Sequence, residues 1–111
     1  MAAAPYNLEI ARGEDFNFTL RITDSFDEPV PFNLSACKAE IREDYKKPLV
    51  ASFTLTNLGD GTIKFSLSSA VTKSLQVEKS LKWDFFFADS NSLLSKQIEG
   101  KVTVTPNITN V

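Results

Sequence analysis

Leu81-Lys82-Trp83-Asp84-Phe85-Phe86-Phe87-Ala88 decides the fold. Large apolar side chains stand at 81, 83, 85 and 87, and a strict period of two over that length is the pattern of a β-strand with one face committed to a core. Asp89 to Ser92 is rich in turn formers, and beyond it Ile98, Val102 and Val104 resume even spacing. The segment therefore reads as an antiparallel hairpin that closes the chain.

The same periodicity extends outward from this hairpin. Tyr6, Leu8 and Ile10 predict a strand near residues 6 to 12, and Phe16, Phe18, Leu20 and Ile22 a second near 15 to 23, with a tight turn at Gly13-Glu14 between them. Asp24 to Pro29 is a loop, and Pro29 and Pro31 forbid a central strand there. Cys37, Ala39 and Ile41 alternate with Lys38, Glu40 and Arg42, which marks a half-buried strand. Ala51, Phe53 and Leu55 form another, ending at Asn57-Leu58-Gly59-Asp60-Gly61, where the Asp-Gly step signals a hairpin into Ile63, Phe65 and Leu67. Ser68 can cap a short helix over 69 to 75 with Ala70, Val71 and Leu75 on one side. About seven short strands and one short helix predict an all-β fold, a two-sheet antiparallel Ig-like β-sandwich, with a partly closed barrel as the alternative. The predicted core is Phe16, Phe18, Leu20, Ile41, Phe53, Phe65, Trp83, Phe85, Phe87, Val102 and Val104, in one domain spanning 1–111 with mobile ends at 1–5 and 106–111.

Composition narrows the function classes. Hydrophobic residues at 42% and charged residues at 23% are globular values. Nine Phe against two Tyr and one Trp assign most aromatics to packing, because they lack a polar handle. A net charge of −2 without a basic cluster gives no footprint for nucleic acid. No apolar run is long enough for a membrane span, and Met1 to Pro5 has no signal-peptide character, so the expectation is a cytoplasmic product. On that expectation the sequons at Asn17, Asn33 and Asn107 are coincidental. The single cysteine, Cys37, reads as a small buried hydrophobe, and the absence of histidine removes the commonest general base and metal ligand. An enzyme is not expected, and neither is a cofactor.

Four groups of residues remain as candidates for chemistry. Asp24, Asp27 and Glu28 crowd one loop and offer oxygen ligands for calcium, although the spacing matches no EF-hand and a solvated turn is the simpler reading. Glu40, Glu43 and Asp44 offer an acid–base pair of the glycosidase type, as any acidic domain does. Tyr6 and Tyr45 could stack on sugars in an Ig-like adhesion or carbohydrate-binding module. Phe86 is more specific: with Trp83, Phe85 and Phe87 pointing inward it points outward, either under a loop or toward another chain. It is the candidate protein–protein contact.

The order of motifs carries a resemblance. Gly13-Glu14-Asp15-Phe16 is followed by Pro29-Val30-Pro31-Phe32-Asn33-Leu34-Ser35, Ala39-Glu40-Ile41-Arg42 and Asp60-Gly61-Thr62-Ile63. Ser68 through Leu75, Trp83-Asp84-Phe85 and Gly100-Lys101-Val102-Thr103-Val104-Thr105-Pro106 complete the series. Over nearly the whole chain this resembles the small β-sandwich virion proteins of tailed bacteriophages, which include siphophage collar proteins and are similar to amino-terminal domains of baseplate upper proteins. Leu34-Ser35-Ala36 stands where such proteins often have a Gly after Leu-Thr, and Trp83-Asp84 where they often have Tyr-Asp. The resemblance implies a structural or adaptor subunit of the tail, collar, neck or baseplate, located in the virion and assembled in the bacterial host cytoplasm. Its implied partners are other virion proteins, with a homo-oligomeric ring built from heterologous interfaces that close. Met1 to Pro5 and Asn107 to Val111 would then be arms that order on assembly.

Overall fold

The alternation at the end of the chain becomes two long strands in the computed structural model, which describes residues 4–44, 46–77 and 80–108. Strand β8 (Leu81–Ala88) buries Trp83, Phe85 and Phe87 and turns Lys82, Asp84 and Phe86 to its other face. Its turn is built by Asp89, whose carboxylate accepts from the amides of Asn91 and Leu93 at 2.9 and 3.0 Å, and Ser92 takes a positive φ of 62°. The return strand β9 (Leu94–Thr105) pairs antiparallel with β8, setting Phe85 opposite Ile98 and Leu81 opposite Val102. Val102 and Val104 are buried and Ile98 is half-buried against the core. A bulge at Gln97 then shifts the register, so that Phe86 lies opposite Lys96.

Seven further strands precede this hairpin: β1 (Ala4–Pro5), β2 (Leu8–Ala11), β3 (Phe16–Arg21), β4 (Lys38–Arg42), β5 (Leu49–Ser52), β6 (Thr54–Gly59) and β7 (Thr62–Leu67). A 3₁₀ turn lies at Leu34–Ala36 and helix α1 spans Ser69–Lys73. One sheet has the order β1-β9-β8-β4-β5 with β2 also on β9, and the other the order β3-β7-β6. Their inner faces pack together around Ile10, Ile41, Ile63, Phe65 and Phe85, none of which has any exposed surface. The fold is an all-β sandwich, with nine strands where the spacing suggested seven.

The count differs for two physical reasons. Ala51, Phe53 and Leu55 share one unbroken alternation, yet the chain changes sheets at Phe53: Ala51 pairs with Ile41 in the larger sheet and Leu55 with Phe65 in the smaller. Phe53 is buried at the crossing, with its N–H bonded to the Ala39 carbonyl at 2.9 Å. At the other site, the expected strand at 6 to 12 is divided into β1 and β2 where the Tyr6 carbonyl turns to accept from Trp83 Nε1. The turn at Gly13 (φ 92°) adds no strand and closes no hairpin; it carries the chain from β2 in one sheet to β3 in the other. β1 and β2 lie parallel to β9, interrupted at Tyr6-Asn7, so the antiparallel expectation holds for every pairing except these two.

Burial also departs from expectation in places. Phe16, Phe18 and Leu20 are half-buried rather than fully enclosed, because β3 is an edge strand with a strand partner on one side only. Helix α1 is capped as expected by Ser68, whose side chain accepts from the Val71 amide, but its buried residue is Thr72 while Ala70 is exposed; Leu75, just beyond the helix, is buried as expected. Thr72 replaces an apolar contact with hydrogen bonds, accepting from the Gly13 amide at 3.1 Å and donating to the Glu14 carbonyl at 2.7 Å. Cys37 is buried and receives the Ala88 amide at its sulfur. Ala4 and Pro5, expected in a mobile end, are paired with Ile98 and Glu99. Residues 1–3 and 109–111 of the expected arms lie outside the described residues.

Candidate functional site: the outer face of the larger sheet

Three neighbouring strands of the larger sheet each turn alternate polar residues away from the core. Their register aligns these residues into rows across the strands. Arg42, Lys82 and Lys101 form a basic row; Glu40, Asp84 and Glu99 form an acidic row beside it; and Lys38, Phe86 and Lys96 form a third. Successive rows are two residues apart along β4 and β8, about 7 Å, and the bulge at Gln97 sets Glu99 and Lys96 three residues apart on β9. The face is therefore banded positive, negative and positive, with one aromatic ring in the last band.

Like charges directly opposite each other on adjacent strands are destabilising. The cost is offset by pairing between bands: Arg42 bonds Glu40 at 3.0 Å, and Lys96 bonds Glu99 at 2.9 Å. Lys82 reaches outward to Asp44 at 3.4 Å. Asp84, at the centre of the acidic row, makes no ion pair of this kind among the described residues and is half-buried. Burial pushes its carboxyl above the ordinary aspartate value; Lys96 opposes the shift, Glu40 and Glu99 add to it, and Arg42 opposes it.

The long basic side chains enclose an open depression of about 610 Å³ whose lining includes Asp84, Phe86 and Leu94. Phe86 is half-buried, as an aromatic flanked by lysine stems would be, and Leu94 is 59% exposed. Phe86 thus lies on the face its parity predicted. The charge alternation of Lys38-x-Glu40-x-Arg42 and Lys82-x-Asp84-x-Phe86 is visible in the sequence. What the sequence reading missed is the strand register that turns separate alternations into bands.

The other candidate residues are placed elsewhere and used differently. Asp24 accepts from the amides of Phe26 and Glu28, and Asp27 pairs with Arg21 at 3.0 Å, so both build the turn. Glu40 and Asp44 are engaged in ion pairs by Arg42 and Lys82; Glu43 follows the end of β4. Tyr6 stacks on Phe18 with ring centroids 5.6 Å apart and meets Trp83 edge-on at 6.3 Å, which commits one ring face to the sandwich. Tyr45 lies outside the described residues.

No known family's sequence profile matches the chain, and no curated protein is significantly similar to it. The fold and the face together describe a β-sandwich with a charge-banded sheet surface.

Proposed function

We propose that this chain is a non-enzymatic structural or adaptor subunit of a tailed-phage virion, in the tail, collar, neck or baseplate region, which assembles symmetrically and holds fibres or other tail proteins. The observation that carries the proposal is the banded outer face with Phe86 in its third row. Bands of alternating sign specify the orientation and register of a partner more than they add affinity, and a partly buried aromatic supplies the apolar anchor that such a contact needs. Orientation and register are what a repeating assembly requires of its subunits. The order of turn and strand motifs, from Gly13-Glu14-Asp15-Phe16 to Gly100 through Pro106, supplies the resemblance to virion proteins. In this reading the partners are other virion proteins and further copies of the chain, and the site of action is the particle, assembled in the host cytoplasm.

Mass spectrometry of purified tailed particles from a host carrying the gene tests the proposal. The expected result is the chain at a fixed copy number per particle; its absence from the particles overturns the virion reading. Phe86→Glu tests the face separately: the variant keeps its far-UV spectrum and loses incorporation. If it folds and is incorporated like wild type, Phe86 is not the contact.

A further inference from the structure

The ion pairs on the outer face of the larger sheet consume most of its charges and leave one over in each band. In the basic row Arg42 is held by Glu40 and Lys82 by Asp44, while Lys101 makes no ion pair among the described residues. In the acidic row Glu40 and Glu99 are paired with Arg42 and Lys96, and Asp84 is left. In the third row Lys96 is taken by Glu99, and Lys38 is left.

These three charges fall on one diagonal. Lys101 lies on β9, Asp84 one row further on β8, and Lys38 one row further again on β4, and the three strands are neighbours in the sheet. Each step crosses one strand spacing and two residues, so it is about 8 Å long and inclined about 35° to the strands. The diagonal reads positive, negative, positive over about 16 Å. Lys38 and Lys101 at its ends are exposed, and Asp84 at its centre is half-buried in the floor of the depression. A carboxylate partly withdrawn from water, with Glu40 and Glu99 directly opposite on both neighbouring strands, is stabilised by a cation brought from outside.

The geometry points to the occupant: an extended segment of a partner protein with the pattern Glu-x-Lys/Arg-x-Glu, laid along this diagonal so that its acids meet Lys38 and Lys101 and its base meets Asp84. Alternate residues of an extended chain recur at about 7 Å, and the flexible lysine stems span the rest of each step; helical turns recur at about 5.4 Å and fall further short. The inclination is close in magnitude to that between strands of sheets packed face to face. Phe86, opposite Lys38 in the third row, gives the methylene stem of the nearer glutamate an apolar floor. A second copy of this face does not fit, because two-fold pairing about Asp84 sets Lys38 against Lys101 and Asp84 against itself. The inference deepens the reading of this face as a contact surface and rests on it.

The test is an NMR titration of the isotope-labelled full chain with two capped peptides, Thr-Glu-Thr-Lys-Thr-Glu-Thr and its sign-reversed counterpart Thr-Lys-Thr-Glu-Thr-Lys-Thr. Wild type is expected to bind the first about tenfold more tightly than the second, with amide shifts confined to β4, β8 and β9. The triple variant Lys38→Glu, Asp84→Lys, Lys101→Glu is expected to reverse the preference. The double variant Lys38→Gln, Lys101→Gln, which removes two exposed charges and keeps its far-UV spectrum, is expected to lose it, and decides the matter if the triple variant does not fold. Equal affinity for the two peptides, a preference that survives in the double variant, or shifts centred elsewhere would overturn the inference. Chains present in particles but without the preference would sink this inference and spare the virion reading, and the preference in a chain absent from particles would do the reverse.

Discussion

Gly100 is required by another residue's carbonyl and not by its own dihedral angles. A methyl group at this position would overlap the Tyr6 carbonyl, which accepts from Trp83 Nε1 at 2.7 Å, while the Tyr6 amide bonds the Glu99 carbonyl at 2.9 Å. Gly100→Ala therefore lifts the β1–β2 bend from β9 and leaves the indole N–H without its acceptor. The expected loss is about 2–4 kcal/mol in urea unfolding, with a red shift of the single tryptophan's fluorescence before denaturation. Asp84 makes a prediction of opposite sign. Its carboxyl holds a proton more tightly in the folded chain than in the unfolded chain, so stability falls as pH rises from the ordinary aspartate value through the raised one. Asp84→Asn is expected to be more stable than wild type at neutral pH. Thermal unfolding across pH checks this: the difference should close as the pH falls through the carboxylate range, and a difference that persists in acid would show that charge is not its cause.

Helix α1 is held by a tertiary lock more than by its cap. Ser68 Oγ accepts from the Val71 amide at a long 3.4 Å, whereas the buried Thr72 hydroxyl ties the helix to both Gly13 and Glu14 in the β2–β3 turn. Thr72→Val keeps the shape and strands two backbone groups, at an expected cost of about 2–3 kcal/mol. Ser68→Ala is expected to cost about 0.5–1 kcal/mol. Equilibrium urea unfolding ranks them, and a larger effect for Ser68→Ala would refute the lock. These elements also show which parts of the structure were legible in the sequence. Period two identified the strand segments, and the Asp60-Gly61 turn was correctly located because φ values of 53° and 75° favour those residue types. Alternation is indifferent to sheet membership, however, so neither the crossing at Phe53 nor the separation of β2 from β3 could be read from it. Thr72 was passed over because its burial depends on partners fifty-eight and fifty-nine residues away. Phe86 was found from parity alone, but the bands around it exist only once β4, β8 and β9 are in register.

At the scale of the whole molecule, the proposed contact has a definite physical character. The outer face of the larger sheet is ionic, and binding through it is expected to weaken as salt rises from about 50 to about 500 mM, because screening shortens the reach of exposed charges. A salt series of partner binding by wild type checks this: binding that is unchanged over that range would show that the banded face is not the contact. The parallel pairing of the first strands with the last has a consequence in time. Ala4 lies beside Ile98 and Leu8 beside Val102, so the amino-terminal strands have no partner until β9 has been synthesised. Closing that long loop is the entropic step that nothing local can offset, and a chain cut before Leu94 is expected to remain unfolded by circular dichroism. Folding of the domain must therefore wait until β9 has left the ribosome, and the first strands stay unpaired while the rest of the domain is made.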